Sequence, residues 1–89
     1  MTQTHIFYSG TVQGIGFRYT VERYANDLNL KGWVRNLQDG RVELLVEGSR
    51  ESIAQLLQKI DQHFAGYIKD KDQREIEVEE SFKEFQIVF

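Results

Sequence analysis

The chain has 89 residues, of which 40% are hydrophobic and 28% are charged, and this predicts a single domain over residues 1–89 with one core. The formal net charge of −3 disfavours non-specific binding to nucleic acid or to an anionic membrane, so affinity for phosphate has to come from a local site. The lack of cysteine excludes disulfides and thiolate chemistry, and the lack of a signal-like or long apolar segment argues against secretion and membrane spanning.

The first predicted elements are a strand and a helix. Residues 5–12 are rich in aromatic and β-branched side chains and predict strand one, whereas residues 1–4 are expected to be a loose end. A helix is predicted from residue 17 because apolar side chains then recur at helical spacing, at Phe17, Val21, Tyr24, Ala25 and Leu28. Asn29 and Gly32 bracket its end, where left-handed backbone is needed.

A β-hairpin is predicted to follow the first helix. Residues 32–36 predict strand two, and residues 41–47 predict strand three because apolar and polar side chains alternate there. Residues 38–40 lie between them and contain the Asp-Gly pair that favours a tight hairpin turn.

The second half of the chain predicts one more helix and two strands. Ser49 is a plausible N-cap for a helix that ends at Gly66, and its apolar stripe is Ile53, Leu56, Leu57, Ile60 and Phe64. Residues 67–74 predict a charged connection without periodicity, and residues 75–80 predict a strand with one wet face. Residues 85–89 predict a short last strand.

The predicted order of elements is β-α-β-β-α-β with one extra strand. This is the split βαβ pattern of ferredoxin-like folds. We therefore expect an α+β sandwich in which two helices cover one face of a mostly antiparallel sheet of four or five strands.

One short stretch between strand one and the first helix is typical of an anion site. Two glycines with one residue between them allow a tight turn whose N–H groups point at one place, and the helix start adds partial positive charge. An arginine adds a permanently charged planar fork. The candidate phosphate-binding residues are Gln13, Gly14, Ile15, Gly16, Phe17 and Arg18.

Two blocks of this sequence resemble the signatures of the acylphosphatase family. Residues 10–18, Gly-Thr-Val-Gln-Gly-Ile-Gly-Phe-Arg, resemble the pattern G-x-V-Q-G-V-x-F-R. The second block is Gly-Trp-Val-Arg-Asn at residues 32–36, followed by Asp39-Gly40 and Val42-Glu43. The resemblance implies hydrolysis of the carboxyl-phosphate anhydride bond with no metal, no cofactor and no covalent intermediate. It also implies the sheet order 4-1-3-2 for the four principal strands.

The resemblance also implies roles for individual residues. Arg18 is expected to grip the phosphoryl oxygens together with N–H groups of residues 13–18, and Asn36 is expected to orient the attacking water. An amide does not titrate, so Asn36 is not a general base. The implied partner is a small acyl phosphate, with inorganic phosphate or sulfate as a competing anion. A cytoplasmic monomer without a nucleic acid or membrane partner is expected, and the sequence leaves the natural acyl group open.

Two departures and two alternatives accompany this prediction. The Gly-Pro that commonly follows the second helix of the family is missing, and Leu37-Gln38 replaces the usual residues after Asn36. One alternative is a non-catalytic phosphate-binding or accessory module, which would not need a water-orienting Asn36. The other is an RNA-binding module, because residues 14–19 superficially resemble the RNP1 pattern. Against it, this run leads into a helix, and the net charge is negative.

Overall fold

A five-stranded sheet and two helices make up most of residues 2–77 and 81–89, the part of the chain that the computed structural model describes. In chain order the elements are β1 Thr2–Gly10, α1 Phe17–Asp27, β2 Lys31–Asn36, β3 Val42–Glu47, α2 Arg50–His63, β4 Ile68–Glu77 and β5 Phe85–Val88. The strands lie in the order β4-β1-β3-β2-β5. Every neighbouring pair is antiparallel except β2 and β5, which run parallel. The predicted fold class and the order 4-1-3-2 are confirmed, and β5 adds a fifth strand beside β2.

The core lies between the sheet and the two helices. Each helix contributes one buried stripe, formed by Phe17, Val21 and Ala25 in α1 and by Ile53, Leu56, Leu57 and Ile60 in α2. These side chains share one cluster with Ile6 and Tyr8 of β1 and with Val42, Leu44 and Val46 of β3. Alternate strand residues point to opposite faces, so both helices cover the same face of the sheet. Neither helix within the described residues is long and apolar enough to cross a membrane.

Several predicted element boundaries agree with the structure. Asn29 takes the left-handed φ of 57° just after α1. Ser49 caps α2, because its hydroxyl oxygen accepts a hydrogen bond from the backbone N–H of Ser52 at 3.1 Å. The hairpin turn lies where the Asp-Gly pair predicted it, with the N–H of Gly40 bonded to the carbonyl of Leu37 at 3.2 Å.

Two predictions about the strands were wrong. The loose end expected at residues 1–4 is part of β1 from Thr2 onward, because Gln3 and Thr4 pair with Glu47 and Val46 of β3 and are buried. The charged connection expected at residues 67–74 belongs to β4, which pairs with β1 along its whole length. Almost all β4 side chains are exposed, so neither face of β4 produces a periodic pattern of apolar residues in the sequence. Of the strand predicted at residues 75–80, the last three residues lie outside the described part of the chain.

The other face of the sheet carries two buried acidic side chains. Glu43 is only 6% exposed, and its carboxylate accepts hydrogen bonds from His5 Nε2 at 2.6 Å and Arg35 Nε at 2.7 Å. The carboxylate of Glu47 accepts hydrogen bonds from the side chain of Gln3 and the backbone N–H of Phe82. The ring of His5 is partly buried by these contacts.

Candidate active site

The connection between β1 and α1 forms a concave loop. Gly14 and Gly16 have φ angles of 77° and 79°, which are left-handed values that side chains with a Cβ rarely adopt. A Cβ added at either position would meet no atom within 4 Å, so the backbone conformation and not the space selects glycine here. Successive turns of this kind bring several backbone N–H groups to one concave side, where an anion can bind.

The start of α1 is part of the same concave surface. Gly16 is the N-cap of α1 and has no side chain that could accept a hydrogen bond from the first-turn N–H groups. The first turn of α1 also contains no acidic residue that would balance the positive end of the helix dipole. These N–H groups therefore stay available to a ligand, and the local field favours a negative one.

A cavity of about 140 Å³ opens against this loop, and it is lined by Val12, Gly14, Gly16, Phe17, Arg18, Tyr19 and Asn36. The fold therefore brings Asn36, the last residue of β2, to the loop and helix start that carry Arg18. Within the described part of the chain, none of these lining residues is Asp, Glu or His. Of the predicted site residues, Gln13 and Ile15 are not part of this lining.

The side chain of Gln13 ties the loop to the β2–β3 hairpin. Its amide nitrogen donates hydrogen bonds to the carbonyl oxygens of Leu37 at 2.7 Å and Arg41 at 2.9 Å. Because Leu37 directly follows Asn36, these bonds fix the hairpin relative to the loop. The sequence predicts only a phosphate contact for Gln13. A contact through its backbone N–H stays a prediction, and nothing in the sequence alone indicated the role of its side chain.

Ile15 points away from the cavity. Its side chain packs against the core and borders a separate groove with His63, Phe64 and Tyr67. This packing holds the loop against the core. Its predicted contribution to phosphate binding is therefore restricted to its backbone N–H group.

Arg18 is half-buried at the cavity, and an aromatic ring lies against it. The guanidinium carbon lies 4.8 Å from the centre of the Phe89 ring, which is within the range of a cation–π contact. Such a contact restrains the guanidinium while its N–H donors, which lie in the plane of the group, stay directed outward. Phe89 is itself 87% exposed, and the sequence analysis did not assign it to the site.

Asn36 carries an unpaired polar atom. Its Oδ1 is buried and finds no hydrogen-bond partner within residues 2–77 and 81–89. The only other such side-chain atom in those residues is the hydroxyl of Tyr8, which lies in the core, where burial and the charge of Asp61 raise the pKa of the phenol. A buried acceptor without a partner costs about 1–3 kcal/mol. At a cavity wall, that acceptor can be satisfied by a water molecule or a ligand.

The described residues contain no group of three or more His, Cys, Asp or Glu side chains that could hold a metal ion. Their arrangement at the cavity is instead that of backbone N–H groups, one guanidinium and one amide. Donors of this kind bind and stabilise the negative charge of a phosphoryl group.

Comparison with known proteins agrees with this arrangement. The acylphosphatase family matches residues 4–87 of the chain. An acylphosphatase of Bacillus licheniformis is 42% identical over the full length of both chains. An acylphosphatase of Roseiflexus is 46% identical over 57 residues, which are 64% of this chain and 61% of that protein. The matched segment thus spans less than two thirds of the Roseiflexus relative.

The solved structures give the same result. The crystal structure of acylphosphatase from Bacillus subtilis superimposes with a TM-score of 0.92 and 36% identity, and the match covers 100% of both chains. The family match covers residues 4–87, and this range includes the loop, the helix start and the strand end that border the cavity. The chain belongs to the acylphosphatase family.

Proposed function

We propose that this acylphosphatase hydrolyses the carboxyl-phosphate anhydride bond of small acyl phosphates without a metal ion or cofactor. Arg18 and the backbone N–H groups of residues 13–18 hold the phosphoryl group, and Asn36 orients the attacking water. The observation that carries this proposal is that Asn36, whose Oδ1 has no hydrogen-bond partner within the described residues, lines the same cavity as Arg18.

The bond changes follow from the position of these groups. The water oxygen forms a bond to phosphorus, and the bond between phosphorus and the bridging oxygen breaks, so that the carboxylate leaves with the electron pair. The Oδ1 of Asn36 accepts a hydrogen bond from the water, and this bond directs a lone pair of the water oxygen at phosphorus. The amide NH₂ of Asn36 can donate toward the substrate. The water proton passes to a phosphate oxygen or to solvent, because no Asp, Glu or His among the described residues lines the cavity. An activated anhydride needs only positioning and charge stabilisation of this kind.

The proposal also covers the oligomeric state of the protein, its location and the anions that compete with the substrate. The chain acts as a single domain and a monomer in the cytoplasm, and inorganic phosphate or sulfate competes for the loop. The net charge of −3 supports neither a nucleic acid nor an anionic membrane as a partner.

The test is the release of phosphate from benzoyl phosphate by the full chain in excess EDTA. We expect an undiminished rate under chelation and competitive inhibition by inorganic phosphate. A rate that is lost with EDTA and restored by Mg²⁺ or Zn²⁺ would contradict the mechanism. Binding of phosphate without any turnover would instead support the non-catalytic module.

A further inference from the structure

Tyr19 is the unusual residue in the lining of the cavity. Val12 and Phe17, the other large apolar residues there, are 0% and 2% exposed and belong to the core, so their side chains are already fully packed. Tyr19 is 60% exposed. It lies two residues after Phe17 in α1, which places it well away from the buried stripe of that helix. Packing within the fold therefore does not account for an aromatic side chain at this position.

The distribution of exposed apolar side chains also singles out the mouth of the cavity. Within residues 2–77 and 81–89, four large hydrophobic side chains are exposed: Tyr19, Tyr67, Ile76 and Phe89. Tyr19 lines the cavity, and Phe89 lies against the guanidinium of Arg18. One of the four thus lines the cavity, and another contacts an arginine of its lining. Apolar surface that is grouped beside a polar pocket is typical of a ligand contact.

The size of the cavity indicates which part of a substrate meets this surface. Its volume is about 140 Å³, whereas pockets that bury a whole organic ligand span roughly 300–1,000 Å³. Its polar groups, Arg18 and Asn36 with the loop N–H groups, are used by the phosphoryl end. The acyl group of a bound substrate then extends out of the cavity, and Tyr19 is the exposed aromatic side chain of the lining.

We propose that Tyr19 is a specificity-determining residue whose ring contacts the acyl group of the substrate and favours aromatic or bulky apolar acyl phosphates over acetyl phosphate. The proposal rests on the proposed function and adds the substrate class. A benzoyl group covers the ring and removes apolar surface of both partners from water, whereas an acetyl group is too small to cover it.

The experiment compares kcat/KM for benzoyl phosphate and acetyl phosphate in the wild type and in three variants. Tyr19→Ala removes the ring, Tyr19→Phe keeps it, and Tyr67→Ala removes an exposed ring that does not line the cavity. We expect the benzoyl-to-acetyl ratio to fall about 3- to 10-fold in Tyr19→Ala, which is the size of one aromatic contact. Tyr19→Phe and Tyr67→Ala should keep the wild-type ratio. The inhibition constant of inorganic phosphate should change by less than about 2-fold in all of them, because the ring does not hold the phosphoryl group.

Each remaining outcome has a definite meaning. A parallel fall in both substrates, or an unchanged ratio in Tyr19→Ala, would overturn the acyl contact and leave the proposed function intact. The same holds if Tyr67→Ala lowers the ratio as much as Tyr19→Ala does. If the wild type hydrolyses neither substrate, the proposed function fails and this inference fails with it. Circular dichroism spectra that match the wild type show that the exposed substitutions leave the fold in place.

Discussion

The two helices of this protein begin in opposite ways. At α2, the Ser49 hydroxyl accepts the N–H of Ser52, and Glu51 places a negative charge in the first turn. At α1, the N-cap is Gly16, which offers no acceptor, and the first turn carries the cation Arg18 instead of an acid. A cation at a helix N-terminus is unfavourable unless an anion lies between the two positive groups. The start of α2 is thus capped within the fold, whereas the start of α1 has no side-chain cap and its N–H groups favour an anionic ligand.

The same contrast holds for two polar side chains of the sheet. Glu43 is buried with both carboxylate oxygens bonded, to His5 and Arg35. Asn36 lies at the end of the neighbouring strand β2, and its buried Oδ1 is unpaired within the described residues. Paired polar groups stabilise the fold, and unpaired ones at a cavity are available for chemistry. Substitution of the paired Glu43 should therefore change stability, and substitution of the unpaired Asn36 should change activity.

Asn36→Ala should have the largest effect. The proposed contact of Asn36 with the attacking water acts in the transition state, so we expect kcat to fall by about 10²–10³ while inorganic phosphate binds with close to wild-type affinity. Steady-state kinetics with benzoyl phosphate and phosphate inhibition measure both quantities. Asn26→Ala replaces an exposed asparagine of α1 and serves as the matched control.

Two results at position 36 would count against this assignment. The first is an alanine variant that loses phosphate binding but keeps its turnover, because the roles of Asn36 and Arg18 would then be exchanged. The second is an active Asn36→Asp variant with a new acid limb in its pH profile, because position 36 would then act as a base. Neither result fits an amide that only orients water.

Arg18→Lys should have the next largest effect. Lysine keeps the positive charge at the start of α1 but loses the planar fork, and each charge-assisted hydrogen bond is worth about 1.5–3 kcal/mol. We expect kcat/KM to fall roughly 10- to 100-fold, with weaker inhibition by phosphate and an unchanged midpoint of urea unfolding.

Arg23→Lys is the matched control for that variant. Arg23 lies on the same helix with its guanidinium 5.3 Å from the Tyr24 ring, in a contact like that of Arg18 with Phe89, but it does not line the cavity. Equal losses in both variants would show that the helix, and not the fork at the cavity, is sensitive to lysine.

The elements of the fold differ in how well the sequence predicts them. Elements whose apolar side chains recur with a regular period, such as α1 and β3, were predicted within a few residues. Gly14 and Gly16 were also predictable, because a left-handed backbone restricts the residue type. β4 was not, because both of its faces are exposed and only its backbone pairing with β1 defines it.

The contacts of polar side chains were beyond the reach of the sequence. The amide of Gln13 was equally compatible with a ligand or with the hairpin, and its bonds to Leu37 and Arg41 depend on a segment far along the chain. The burial of Glu43 and Glu47 was hidden for the same reason. The alternation of polar and apolar residues in strand three does not identify their partners, which come from β1, from β2 and from residues 81 and 82.

Of the three variants, Glu43→Gln should have the smallest effect on activity, because it changes only the stability of the fold. Burial by itself would raise the pKa of the Glu43 carboxyl, but the hydrogen bonds from His5 and Arg35 and the charge of Arg35 outweigh it, so the pKa lies below its usual range. A carboxyl whose pKa is lowered in the folded state stabilises the protein above its unfolded-state pKa. That contribution is lost as the pH falls through the folded-state value. We therefore expect the variant to lose about 1–3 kcal/mol of unfolding free energy near neutral pH and to show a shallower further loss in acid.

Urea unfolding at a series of pH values measures both parts of that expectation, with Glu84→Gln as the control at an exposed glutamate. Glu47 keeps its own hydrogen bonds and a lowered pKa, so some loss of stability in acid should remain in the variant. The kcat of the folded fraction should stay at the wild-type value, because Glu43 does not line the cavity. A variant with wild-type stability at every pH would show that the paired carboxylate contributes nothing to folding. A fall in the kcat of the fully folded variant would show that Glu43 affects the chemistry. The paired polar groups of the sheet would then not act on stability alone.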